Sequence, residues 1–167
     1  MIEYDVANLV GHAEQALKLA GPSIGVAIEA YTNRNALVVV MLDPRVPCGS
    51  DQPLCVLQER HFGEPSKEKW SREFDKIALA KAEVCYRTGE STRTVGESRP
   101  YMYLPGDIKF PGGVVCDGLV VAASGLDWQF DEAVAHMVIA FFWASVRSAR
   151  DKLMADKDSI VVGCHPN

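Results

Sequence analysis

The fourteen residues GGVVCDGLVVAASG, from Gly112 to Gly125, restrict the fold more than any other stretch of this chain. Two short runs rich in β-branched residues flank Asp117-Gly118, a dipeptide suited to the left-handed corner of a two-residue hairpin. Strands joined by so tight a turn must run antiparallel, because a parallel pair needs a crossover of a dozen or more residues. A chain containing this hairpin therefore builds at least part of an antiparallel sheet.

The remaining sequence supplies helices to cover it. In EYDVANLVGHAEQALKLAG, apolar residues recur at Val6, Leu9, Val10, Ala13, Leu17 and Ala20, which predicts a first helix ending at Gly21-Pro22. SIGVAIEAY and ALVVVMLD read as two more antiparallel strands joined through the polar residues 32–35. Residues 44–65 hold four prolines and predict a long irregular loop, with one helical turn around Leu54 to Arg60. Ser66 is suited to cap a second helix with Trp70, Phe74, Ile77, Lys81 and Val84 on one stripe and Gly89 as its stop. Residues 90–111 have no clear period and predict loops with a short edge strand. Asp127 is placed to cap a last helix beginning WQFDEAVAHM. Helices packed on one antiparallel sheet define an α+β layer fold.

At 167 residues with no linker composition, the chain reads as one domain, 1–167, able to bury a core without metals or disulfides. Its net charge of −5 argues against nucleic acid or an anionic membrane surface as a general partner. The longest apolar run, MVIAFFWA from Met137, is far short of the roughly 20 residues that span a bilayer. Five cysteines, an odd number, and an acidic N-terminus without a secretory pattern predict free thiols and a cytoplasmic location. The cysteines and histidines have no zinc spacing, and Ser124 lacks the surroundings of a nucleophile elbow.

DKIALAKAEVCYRTGEST and PGGVVCDGLVVAASGLDWQFDEAVA together resemble the GlcG/HbpS-like family, also called DUF336 or haem-degrading, which includes the PduO C-terminal domain. The likeness extends over roughly residues 5 to 148. It departs at Val115, where the family has proline after Gly-Gly-Val. The resemblance implies a profilin-like antiparallel sheet of about five strands flanked by helices, assembly into homo-oligomers, and haem or corrinoid as ligand.

Several residues are candidates for contact with a small ligand. Gly112 and Gly113 either expose backbone amides to a carboxylate or phosphate, with Lys109 beside them, or permit a turn at the strand entry. Lys81, a charge on an apolar stripe, must snorkel to water, pair with a neighbouring Glu, or face a cleft where it meets a ligand carboxylate. His12, at the boundary of the first helix's apolar face, is the best-placed axial ligand if haem binds. His136 is suited to a subunit contact. An alternative activity is conversion of a small organic acid beside Gly112-Gly113, with Lys81 orienting it and Asp131 handling protons. The last helix is apolar well beyond a 100° stripe between Val134 and Val146, so self-association through it, or cover by the 44–65 loop, is expected.

Overall fold

The computed structural model describes residues 7–31 and 33–162, with side chains through Asp156. The elements in chain order are α1 (Leu9–Glu29), β1 (Ala36–Leu42), β2 (Val56–Gly63), α2 (Phe74–Thr88), α3 (Thr92–Ser98), β3 (Gly113–Cys116), β4 (Leu119–Ser124) and α4 (Trp128–Val162). Among the described residues the strands form one antiparallel sheet in the order β2-β1-β4-β3. The α+β architecture is the expected one, with four strands rather than about five.

β1 is buried at every position. Alternate residues of a strand point to opposite faces, so an uninterrupted apolar run requires both faces to be covered. Leu37, Val39 and Met41 pack with α1 and α4 on one face. Ala36, Val38, Val40 and Leu42 pack with Phe74, Ala78, Ala82 and Cys85 of α2 on the other. The sheet is the middle of three layers. With both faces apolar, polarity alone would not stop β1 from slipping by one residue. Gly125 supplies a pin: a Cβ there would stand 2.2 Å from the Ala36 carbonyl oxygen, and its φ of +151° suits glycine.

Five local expectations are corrected. SIGVAIEAY is not a strand, and α1 does not stop at Gly21-Pro22. The helix runs through Pro22 to Glu29 because Ile24 and Ile28 extend the buried stripe of Ala13, Leu17 and Ala20. Proline forfeits one helical N–H bond, and burial of two isoleucines, at about 1.5–3 kcal/mol each, outweighs it. Residues 44–65 are not all loop. All four prolines fall outside Val56–Gly63, which pairs with β1 as an edge strand, Phe62 opposite Leu37. The second helix begins at Phe74 with Glu73 as its cap, while Lys67–Lys69 form a separate 3-10 turn after Ser66. Residues 90–111 contain α3 and a further 3-10 turn, Pro100–Met102, instead of an edge strand.

The second hairpin is as read, with Asp117 at φ +50° and Gly118 at +79° forming its corner. Part of the broad apolar band of α4 is covered within the chain. Phe142 is fully buried, and Met137, Phe141, Trp143 and Val146 pack against the core that α1 and the sheet share. The cover within the chain is α1, not the 44–65 loop. No helix is long and apolar enough to cross a membrane among the described residues.

Candidate functional site

Where β3 enters the sheet, α2 and the first turn of α4 approach each other from opposite faces. Lys81 reaches from α2 and donates hydrogen bonds to the Ala123 carbonyl oxygen and to Asp131 Oδ2, both at 2.9 Å. The other carboxylate oxygen, Asp131 Oδ1, accepts from the Leu126 amide at 2.9 Å. Both side chains are nearly sealed, 2% and 4% exposed. Burial lowers the Lys81 pKa and raises that of Asp131, and their mutual attraction opposes both shifts.

Gly112 makes this passage possible. A Cβ on it would lie 2.6 Å from Lys81 Nζ and 2.9 Å from the Ala123 oxygen, and its φ of +127° again suits glycine. Gly113 allows the neighbouring contact. A Cβ there would stand 2.7 Å from Cys85 Sγ, and the residue is clamped to Thr92, which accepts from its amide at 3.0 Å and donates to its carbonyl at 3.1 Å. The Gly113 amide is therefore not available to a ligand. Close packing is the observed use of both glycines.

A cavity of about 250 Å³ opens onto the Lys81–Asp131 pair. Phe74 and Ile77 of α2 form one wall, and residues 124–128, the turn from β4 into α4, form another. Phe110 and Trp128 bring exposed aromatic surface to it. Arg34 and Arg72 complete the lining. Arg34 has no ion-pair or hydrogen-bond partner for its side chain among the described residues, although its field helps to hold Asp131 ionised. The Arg72 guanidinium likewise has no partner there. Asp127 lies on the same wall; its carboxylate accepts from the Tyr31 hydroxyl at 3.3 Å, and its carbonyl accepts from the Phe130 and Asp131 amides. The start of α4 adds the positive end of a long helix.

The structure thus brings Lys81, Gly112, Gly113 and Asp131 together. Lys109 is exposed, one residue from Phe110, and is not part of the lining. His12 lies elsewhere, in the seam between α1 and α4. Ser145 donates to Gln15 Oε1 at 3.1 Å, so His12 Nδ1 is the donor in the 2.7 Å bond to Ser145 Oγ. His12 Nε2 is sealed without a hydrogen-bond partner, and the ring stands edge-on to Phe142. His136 is exposed on α4, and His165 lies outside the described residues. Arg34, Arg72, Phe110 and Trp128 were not legible as site residues. Each sits beside an element end, and only the topology gathers them.

The solved structure of the Klebsiella pneumoniae protein ORFY, described as DUF336, matches this chain with a TM-score of 0.55 at 19% identity, over 81% of this chain and 90% of that one. The chain has a DUF336-type fold. The Ybr137w protein aligns at 16% identity and a TM-score of 0.48, over 83% of this chain and 88% of that one. No family model matches the sequence, and no curated protein does. In this DUF336-type fold the Lys81–Asp131 pair joins the two helical layers at the end of the sheet.

The DUF336-type packing also makes a chemical distinction among the thiols. Cys48, Cys55, Cys85 and Cys116 are free; Cys164 lies outside the described residues. Burial pushes the Cys85 thiol up to about 12, whereas Cys55 and Cys116 are exposed. With maleimide at pH 7.5, peptide mapping is expected to find Cys55 and Cys116 labelled in the folded protein and Cys85 labelled only in denaturant, because the thiolate is the reactive form. Labelling of Cys85 at the rate of Cys55 would contradict its burial.

Proposed function

We propose that this protein binds a small carboxylate in the cavity between α2 and the start of α4. The observation that carries this reading is the pairing census of the arginines. Arg45, Arg87, Arg93, Arg99, Arg147 and Arg150 each have an acidic partner. Arg34, Arg60 and Arg72 have none among the described residues, and two of these three line the same cavity. Unpaired guanidiniums beside a helix N-terminus provide the forked donors and positive field that a carboxylate needs. Phe74, Ile77, Phe110 and Trp128 supply apolar surface for the rest of such a molecule.

A haem or corrinoid is not the ligand this geometry favours. His12 is enclosed in the α1–α4 seam and does not line the cavity. The volume of about 250 Å³ falls below the roughly 300–1,000 Å³ of drug-sized ligand sites and suits a molecule much smaller than a tetrapyrrole.

The test is a thermal-shift and calorimetric titration with acetate, pyruvate, levulinate and benzoate against chloride at equal ionic strength. A saturable rise in melting temperature with at least one carboxylate is expected. Arg34→Gln or Arg72→Gln should weaken that Kd about tenfold or more, since a hydrogen bond to a charged group contributes about 1.5–3 kcal/mol. Absence of saturable binding across the series would refute the proposal.

A further inference from the structure

An ammonium group carries three N–H donors. Buried Lys81 finds two protein acceptors, the Ala123 carbonyl oxygen and Asp131 Oδ2. No third acceptor stands beside it among the described residues. Attack by this amine on a carbonyl carbon needs a free lone pair, and hence the loss of one proton. The proton that must leave has a short path, because Asp131 Oδ2 is 2.9 Å from Nζ. Its transfer converts an ion pair into a neutral amine beside a neutral acid and creates no separated charge in the apolar surroundings. Lys81 and Asp131 both line the cavity that holds Arg34 and Arg72.

We infer that Lys81 is a nucleophile that forms an imine with a ketone- or aldehyde-bearing carboxylate bound in this cavity. The inference rests on the carboxylate reading above and adds a covalent step to it. Arg34 and Arg72 hold the carboxylate, and the carbonyl group is presented to Nζ. Asp131 first accepts a proton from Nζ. The freed lone pair attacks the carbonyl carbon, a C–N bond forms, and the C=O π electrons move to oxygen, which takes the proton back from Asp131. The new ammonium centre then returns a proton to Asp131. Asp131 passes it to the departing hydroxyl, which leaves as water while the nitrogen lone pair closes the C=N bond. Overall, one ammonium and one carbonyl become one protonated imine and one water, and Asp131 ends as the carboxylate it began. Burial supports this chemistry by weakening the hold of Lys81 on its proton and strengthening that of Asp131.

Lys81 is suited to this role in a way that the exposed lysines are not. Lys67 and Lys76, for example, are exposed and are held charged by Asp75 and Glu73. Lys109 is exposed and is not part of the cavity lining.

The test uses the full chain, pyruvate and levulinate as two probes of different carboxylate-to-carbonyl spacing, and sodium cyanoborohydride to reduce any C=N bond. Binding is followed separately by thermal shift without reductant. The expected result is a saturable shift with one of the two oxo acids and a single reduced adduct that peptide mapping places on Lys81, formed at least tenfold faster than adducts on Lys18 or Lys109. Lys81→Arg, which keeps a cation against Asp131, is expected to retain the thermal shift and lose the adduct. Asp131→Asn is expected to slow trapping about a hundredfold. A thermal shift with no adduct at Lys81, or with adducts only on exposed lysines, overturns the imine and leaves carboxylate binding standing. Absence of both shift and adduct overturns the two together. The location of the adduct in the unaltered protein decides the matter even if the variants fold poorly.

Discussion

Lys81→Met is expected to lower the stability of the folded chain by about 3–5 kcal/mol, while the double variant Lys81→Met, Asp131→Leu is expected to recover most of that loss. Removing one member of a buried ion pair leaves the other charged in a medium that cannot solvate it, whereas replacing both with apolar groups of similar volume is often neutral or better. The buried geometry makes this pair the strongest case among the described residues. The Lys76–Glu73 pair is exposed on both sides, and screening by water is expected to leave it contributing little. Urea unfolding at several pH values checks the result. In the single variant the carboxyl of Asp131 has lost its cation, and burial already raises its pKa. A raised acid binds its proton more tightly in the folded than in the unfolded chain, so stability is retained at acidic pH. It falls as pH rises from the ordinary aspartate range through the folded value. A single variant within about 1 kcal/mol of the parent at neutral pH would show that the pair is not buried as described.

Gly125→Ala is expected to be at least as damaging, at about 3–5 kcal/mol. Its φ of +151° is one that side-chain-bearing residues rarely adopt, and the added Cβ would meet the Ala36 carbonyl oxygen at 2.2 Å and Leu37 Cα at 2.6 Å. Backbone strain accounts for about 1–3 kcal/mol, and forcing β1 aside adds about 1–3 more. Gly118→Ala separates the two contributions. Its φ is also positive, at +79°, yet a Cβ there meets nothing within 4 Å, so it should cost only about 1–2 kcal/mol. Equal losses at the two positions in chemical denaturation would mean that the close approach of Gly125 to β1 contributes nothing.

The elements legible in the sequence are those whose signals are local. Asp117-Gly118 names its own hairpin, Gly89 ends α2, and the apolar run of β1 declares a strand. The misread segments depend on what packs against them. Residues 23–29 carry β-branched side chains and follow Gly-Pro, but the buried stripe of α1 holds them helical. VLQERHFG has too many polar residues to read as a strand alone, and pairing with β1 makes it one. The site divides the same way. Lys81 is conspicuous because a charge interrupts an apolar stripe, and the two glycines because they adjoin. Their shared purpose, clearance for an amine passing from one layer to the other, is visible only in three dimensions. Arg34 and Arg72 precede β1 and α2 in ordinary polar segments, and no spacing connects them.

The Lys81–Asp131 contact also bears on the order of folding. Its partners are 50 residues apart in the chain, and Lys81 reaches across only where Gly112 has already been laid against Ala123, whose amide donates to the Gly112 carbonyl. α2, the β3–β4 hairpin and α4 must all be docked before the contact can close. A contact with so many prerequisites contributes little to the transition state for folding and most of its energy to the native state. It acts as a latch, and its removal is felt in how quickly the protein comes apart rather than in how quickly it assembles.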